Sequence, residues 1–389
     1  MKSRLQDLAR SVSPAGRVVA LIGVASWLIG WRLGWREAMW VAAACLPIFA
    51  TGAVFLFGAM KLRVNLVVEP LRVTVGAPST VELAVTNDGK SRMLPLKMEL
   101  AVGRNAVVFD VPSLPSGGSH DELFVLPTSR RSVIPVGPAT SVRGDPLGLT
   151  RRALDWTTPV SLYVHPRITR LEHLGAGFLR DLEGQVTNDL STNDLAFHAL
   201  REYAPGDDRR FIHWKTTARV GDLMVRQFVD TRRSHLAVVV DTDESSYLDE
   251  EEFELAVSLA GSLGVRAKLD EQEVTLSAGD AIHECNDGQQ LLDQLAGVES
   301  RGGGIDVLGQ SLRLQRTAAS VSTAAIFTGS ARPVTDLSAA SSRFGESVRK
   351  LVVRAQPDGA AALRPLGSMT VLTVCRLEEF GFLLFKASQ

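Results

Sequence analysis

Cysteine, tyrosine and unbalanced charge are scarce in this 389-residue sequence, and each scarcity narrows the class of protein. The three cysteines, Cys45, Cys285 and Cys375, stand far apart with no Cys-x-x-Cys pair, which argues against a zinc cluster or a disulfide framework and fits a reducing compartment. A formal charge of −1 leaves no basic excess of the kind that wrapping nucleic acid favours, so a nucleic-acid partner is not expected. Short catalytic signatures are missing too: the chain has no His-Glu-x-x-His, no Gly-x-Ser-x-Gly and no phosphate-cradling Gly-x-x-x-x-Gly-Lys. What is present is ordinary globular composition, 45% hydrophobic and 22% charged, over a length that exceeds one average domain.

Apolar residues first gather near the N-terminus, in "VVALIGVASWLIGW" from Val18 to Trp31 and "AMWVAAACLPIFATGAVFLFGAM" from Ala38 to Met60. The second run would form a helix of roughly 34 Å, enough for a hydrocarbon core of about 30 Å, with a kink expected at Pro47. The first is shorter, but Arg17 and Arg32 can snorkel, and Trp27, Trp31, Trp35 and Trp40 cluster near the connecting turn like an interfacial belt. Residues 1–62 therefore read as a transmembrane helical hairpin; a signal peptide is the rival for the first run, though no small-residue cleavage site precedes the charged turn. Lys2, Arg4, Arg10 and Arg17 before the pair and Lys61, Arg63 and Arg72 after it outnumber Arg32 and Arg36 between, which puts both ends in the cytoplasm of a multi-pass cell-membrane protein.

Alternation takes over in residues 63–167. "STVELAVTNDG" sets Val81, Leu83 and Val85 on one face before a turn, and similar short runs recur at 94–102, 121–126, 132–136 and 161–165, so a small β-sandwich is expected. Residues 168–234 form a connector. From residue 235 to the end, buried strands alternate with amphipathic helices: "HLAVVVD", "EEEFELAVSLAGSLG", "EVTL", "GQQLLDQLAGV", "STAAIFTG", a helix over 335–344, "VRKLVVRA", "MTVLTVC" and a closing helix. That pattern is a doubly wound α/β domain. "RGGGIDVLG" reads as a glycine turn.

Ligands of such sheets collect beyond the carboxyl ends of the strands, which points to "DTDESS" after the first strand. Asp241, Asp243 and Ser245 at this place resemble the Asp-x-Ser-x-Ser metal-ion-dependent adhesion site of von Willebrand factor A domains. Carboxylate and hydroxyl oxygens suit Mg²⁺. The later Asp of that family is absent, however, because the corresponding strand ends in "IFTGS". With that ligand missing, the second reading, Asp243 and Ser245 as a turn and N-cap for the next helix, is favoured, no cofactor is expected, and the loop is expected to dock a protein more than to hold a metal.

Upstream lies "REYAPGDDRRFIHWKTTARVGDLMVRQF". Eight bases and five acids interleave between Arg201 and Arg233, which suits reciprocal ion pairs better than a phosphate-binding stripe. Helical spacing of Phe211, Trp214 and Ala218 predicts a short helix that buries Trp214. Tyr203, Gly206, Asp207, Asp208, Arg210, Ile212, Trp214, Ala218, Arg219, Val225 and Arg226 resemble the signature of the bacterial domain of unknown function 58 family, with Thr217 where that pattern has Ser. "RGDPLGL" from Arg143 to Leu149 resembles a second turn of the same family, with Gly144 inserted and Leu147 in place of Phe. The resemblance implies a membrane-anchored protein with a von Willebrand factor A-like domain, associated with MoxR-type AAA+ ATPases. Its signature residues would act as a structural clasp or a docking surface, Arg210 and Arg219 tying the acidic turn. The leading expectation is a cytoplasm-facing scaffold or adaptor rather than an enzyme; the alternatives are an unrecognised hydrolase, with His213 as base beside Asp207 or Asp208, and a purely structural envelope component.

Overall fold

The computed structural model describes residues 13–56, 61–144, 149, 151–172, 195–204, 207, 209–230, 234–318 and 320–387. Lys2, Arg4 and Arg10, the turn at 145–148, and Gly206 and Asp208 of the signature lie outside the described residues. The chain divides into two compact units, Met1–His165 and Pro166–Gln389.

In the first unit, helix α1 (Pro14–Leu33) starts where Ser13 accepts a hydrogen bond from the Gly16 amide and Pro14 supplies a preset φ, and it stops at Gly34 in a left-handed conformation. Helix α2 (Arg36–Leu56) follows, with Pro47 inside it. The two pack side by side through small residues, for a Cβ on Gly30 would sit 2.6 Å from Met39 Cγ, and one on Gly23 would sit 3.2 Å from Cys45 Cβ. Among the described residues, one helix, α1, meets the length and hydropathy needed to cross a membrane. Trp27 and Trp31 stack on one another, 6.1 Å between ring centroids, and both stay exposed.

The rest of this unit is strands: β1 (Leu62–Glu69), β2 (Arg72–Thr74), β3 (Thr80–Asn87), β4 (Leu96–Val102), β5 (Asn105–Val111), β6 (Ser119–Val125), β7 (Ser132–Gly144), β8 (Arg151–Asp155) and β9 (Val160–His165). They make two sheets, β1-β3-β6 and β2-β9-β7-β4-β5, with β8 also on β7. Val81, Leu83 and Val85 of the first sheet meet Met98, Leu100, Leu162 and Val164 of the second in one core, as the alternation in β3 predicts. Strands β1, β2, β5 and β8 were not foreseen; β5 keeps most of its side chains in solvent, so it lacks the one-sided alternation that flags a strand.

The second unit opens with residues 166–172, held where the Thr169 amide donates to Ser262 Oγ at 3.0 Å and Leu171 enters the core. Strands β10 (Leu195–Glu202) and β11 (Met224–Asp230) form an antiparallel pair, and helix α3 (Trp214–Val220) lies between them in sequence. Then come β12 (His235–Val240), α4 (Glu250–Leu269), β13 (Glu273–Ala278), β14 (Ala281–Cys285), α5 (Gly288–Ala296), α6 (Val307–Thr317), β15 (Thr323–Thr328), α7 (Val334–Ser341), β16 (Arg349–Ala355), β17 (Ala362–Leu366), β18 (Met369–Val374) and α8 (Phe380–Ala387).

Their strand order is β14-β13-β12-β15-β16-β18-β17. The inner five are mutually parallel and the two edges antiparallel. Successive residues of the central strands feed opposite faces. Leu236, Val238 and Val240 pack with Phe253, Leu259 and Leu263 of α4 and with Phe380 of α8. Ala237 and Val239 pack on the other side with Val307 and Leu314 of α6 and Leu337 of α7. The "VLG" read as part of a glycine turn is the first turn of α6, which Asp306 caps by accepting from the Gly309 amide at 2.8 Å.

Candidate functional site

Strand β12 pairs with β13 on one side and β15 on the other, while α4 and α6 lie on opposite faces, so the carboxyl ends of β12 and β15 are the switch point of the sheet, the place where this topology calls for a crevice. Asp241 is the first residue past β12. Its amide donates to the Phe327 carbonyl at 2.9 Å, which continues the β12–β15 pairing by one step, and its side chain is fully buried. One carboxylate oxygen, Oδ1, accepts from the Asp243 amide at 3.1 Å; Oδ2 accepts from Thr328 Oγ1 at 2.8 Å. Burial pushes the Asp241 carboxyl above its ordinary range, and the Arg332 guanidinium pulls it back.

Asp243 closes the turn, accepting from the Ser245 amide at 3.1 Å and the Ser245 hydroxyl at 2.9 Å. It caps the single turn Glu244–Ser246, whereas the N-cap of α4 is Asp249, which accepts from the Glu252 amide at 2.8 Å. The expected assignment of Asp243 and Ser245 to that helix start is corrected accordingly: one extra turn intervenes before α4 begins.

Four residues that sequence reasoning passed over complete the base. Thr328 takes the place at the end of β15. Glu252, fully inside, accepts from the Leu248 amide at 2.6 Å and the Ser330 amide at 2.9 Å, tying the two loops together. Tyr247 donates its hydroxyl to the Asp241 carbonyl, and burial drives that phenol well above its ordinary range. Arg332 reaches both aspartates: Nε is 3.5 Å from Asp241 Oδ2, and a terminal nitrogen is 3.3 Å from Asp243 Oδ2. The loop carrying it can press this closely because residue 329 is glycine; a Cβ there would overlap the Ser246 carbonyl and lie 2.6 Å from the Tyr247 ring. The signal for Arg332 was its place in "GSARPV", a lone cation just past the carboxyl end of the neighbouring strand.

Asp241, Asp243 and Ser245 are thus brought to one place, but they do not fit a divalent ion. Among the described residues no three His, Cys, Asp or Glu side chains converge. The two carboxylates that would ligate a cation already share the guanidinium of Arg332. The rim above this base is exposed: Glu244, Ser245, Leu248 and, from the neighbouring loop, Arg301, whose amide donates to the Thr242 carbonyl at 2.8 Å.

The signature stretch is built differently. Asp207 accepts from two nitrogens of Arg201 at 2.6 and 2.7 Å and from the Ala204 amide at 2.8 Å, so it sits below the ordinary carboxylate range. Tyr203 donates its amide to Leu223 O at 2.8 Å. His213 caps α3 through Nδ1, receiving the Thr216 amide at 3.3 Å. Trp214 is the first residue of α3 and is 65% exposed, which overturns the expectation of a buried indole. The reason is a break in the helix: Arg209–Phe211 is a separate turn, and Ile212, not Trp214, pairs with Val225 and is buried. Arg210, Arg219 and Arg226 are exposed.

Residues 199–286 match a family model described as protein of unknown function DUF58. A relative of Bacillus subtilis (strain 168), the uncharacterized protein YeaD, is 25% identical over 193 residues, 44% of this chain and 46% of that protein, so the match spans less than half of its length. Solved structures give only faint likeness. The CARDB domain of a Pyrococcus furiosus protein, crystallised with di-metal ions, aligns over 28% of this chain and 96% of its own at 15% identity and TM-score 0.21. Spo0M, the sporulation control protein of Bacillus subtilis, aligns over 45% and 69% at 13% identity and TM-score 0.15. Likeness at that level carries no argument about fold or ligand.

Proposed function

We propose that the chain is a membrane-anchored adaptor whose α/β unit docks a protein partner at the crevice beyond β12 and β15. Apolar α1, paired with α2 as a hairpin, supplies the anchor in this reading, with the second unit on the cytoplasmic side. A von Willebrand factor A-like assignment is supported by strand order: counted from β12 with β17 set aside, it is 3-2-1-4-5-6. The observation that carries the docking role is the contrast within one loop. Asp241, Ser246 and Tyr247 are locked below, while Glu244, Ser245 and Leu248 stand in solvent above them, Leu248 at 77% exposure.

A rigid base under an exposed rim lowers the ordering cost of association, and the exposed Leu248 beside Glu244 offers a partner apolar area to bury within a polar rim. The occupant implied by the family resemblance is a MoxR-type AAA+ ATPase, which would supply any nucleotide hydrolysis. The reading is tested by titrating a purified ATPase of that type onto the full chain. Leu248→Ala combined with Glu244→Ala should weaken capture about tenfold or more while the fold stays intact. Undiminished capture by that variant would remove the crevice from the interface. A reporter fused after Gln389 tests the anchor: activity on the extracytoplasmic side would overturn the orientation.

A further inference from the structure

The disagreement between this loop and a metal site has a specific cause, and it is independent of whether a partner docks there. We infer that Arg332 is the resident cation of the Asp241 cluster, a covalently attached counter-ion that keeps the two carboxylates closed to divalent metal. Its guanidinium lies against Asp241 Oδ2 and Asp243 Oδ2, one oxygen of each carboxylate. The Arg332 side chain is nine-tenths buried, at 10% exposure, and among the described residues its Nε and second terminal nitrogen make no hydrogen bond, so charge attraction rather than a filled donor set holds it in place.

The backbone on either side fixes the position. Arg354 donates to the carbonyls of Ser330 and Arg332, the Ala331 amide donates to the Ser246 carbonyl at 3.2 Å, and Pro333 starts α7 directly afterwards. Swinging the guanidinium out would leave Asp241 as a fully buried, uncompensated charge. Two carboxylates, the Ser245 hydroxyl and the Thr328 hydroxyl are otherwise an oxygen set that a small hard cation accepts when waters complete its shell. Removing the guanidinium would therefore leave that oxygen set open to a cation, and Arg332 should be the decisive residue.

The experiment uses the purified full chain with Mn²⁺ or Mg²⁺ as the probe, read by calorimetry and thermal unfolding. Wild type should show no stoichiometric binding and no midpoint shift. Arg332→Ala should bind Mn²⁺ near one equivalent and rise by about 5 °C at a hundredfold excess over Kd, and Asp241→Asn in the same background should abolish both effects. Arg332→Lys, which keeps the charge, should stay as insensitive as wild type. If Arg332→Ala folds only when Mn²⁺ is present, the inference is supported in its strongest form. It is overturned if wild type binds Mn²⁺ in a manner lost with Asp241→Asn, if folded Arg332→Ala ignores the metal, or if that variant fails to fold with Mn²⁺ as well as without it.

Discussion

The Asp241 loop and the turn around Asp207 each set an aspartate against an arginine, yet the pair with the better geometry is the one in solvent. Arg201 holds Asp207 through two contacts of 2.6 and 2.7 Å with its side chain 45% exposed. Arg332 approaches Asp241 and Asp243 no closer than 3.5 and 3.3 Å, but Asp241 is entirely inside. Distance measures how well two charges meet. Burial decides what happens when one is removed, because the survivor in the interior has no water to return to. Similar residue chemistry therefore serves local order in one place and the integrity of the sheet's open end in the other.

The largest test of that contrast is Asp241→Ala. Removing this carboxylate strands Arg332 in the interior and should cost about 3–5 kcal/mol, read by denaturant unfolding together with hydrogen exchange of the β12 amides. A loss under about 1 kcal/mol would place the pair in the same class as exposed ion pairs and erase the distinction. Asp241 is for this reason a poor probe of docking, and the exposed Glu244 and Leu248 are better ones.

Gly329→Ala comes next. Its added methyl would strike the Ser246 carbonyl and the Tyr247 ring, both held by the Asp241 loop, and overpacking of this kind costs about 1–3 kcal/mol. If the variant unfolds like wild type, the two loops are free to separate and the base of the site is softer than its contacts imply.

Much of this could be read in the sequence, and the limits follow from what is local. "HLAVVVD", "STAAIFTG", "VRKLVVRA" and "MTVLTVC" each carry an apolar centre that is buried in β12, β15, β16 and β18, as strands covered on both faces require. Asp241 was placed by topology alone. Its partner Arg332 was not, since 91 positions separate them and only the folded sheet brings the ends of β12 and β15 together. The exposure of Trp214 has a local cause instead: Phe211 and Trp214 share one helical period in the sequence but belong to two different turns of the chain. Strands β14 and β17 sit at the sheet edges with mostly half-buried or exposed side chains, too weak a signal to detect.

A pH titration sharpens the comparison with a difference in sign. Asp207 is held below its ordinary value of 3.8, so its folded form favours the charged state; its contribution is complete above that value and is lost as pH falls through the lower folded value. Asp241 is pushed above 3.8, so its contribution is complete below that value and is lost as pH rises through the higher folded one. Acidification should thus loosen the exposed turn while relieving the buried loop. Asp207→Asn should flatten the acid-side loss and Asp241→Asn the opposing gain, seen in unfolding midpoints between about pH 3 and pH 6. Equal slopes of the same sign in the two variants would contradict the assignment of the shifts to ion pairing in one case and burial in the other.

The smallest expected effect belongs to Trp214, and it is informative because the indole is the bulkiest group in the signature. A buried tryptophan truncated to alanine costs about 3–5 kcal/mol, but this one is 65% exposed at the start of a seven-residue helix with no buried side chain of its own. The helix is held through backbone and polar contacts instead: the His213 cap, the Thr217 hydroxyl accepting the Met224 amide at 3.0 Å, and Gly221 closing the last turn. None of these uses the ring. Trp214→Ala should therefore change stability by no more than about 0.5 kcal/mol, whereas Thr217→Ala, which leaves the Met224 amide without its acceptor, should cost about 1 kcal/mol or more. The measurement is a pair of denaturant curves on the two variants. A Trp214→Ala loss above that of Thr217→Ala would mean the indole is covered in solution and the signature is a packing clasp after all; a silent Trp214→Ala that nonetheless weakens partner capture would make the exposed turn a second docking surface of the α/β unit.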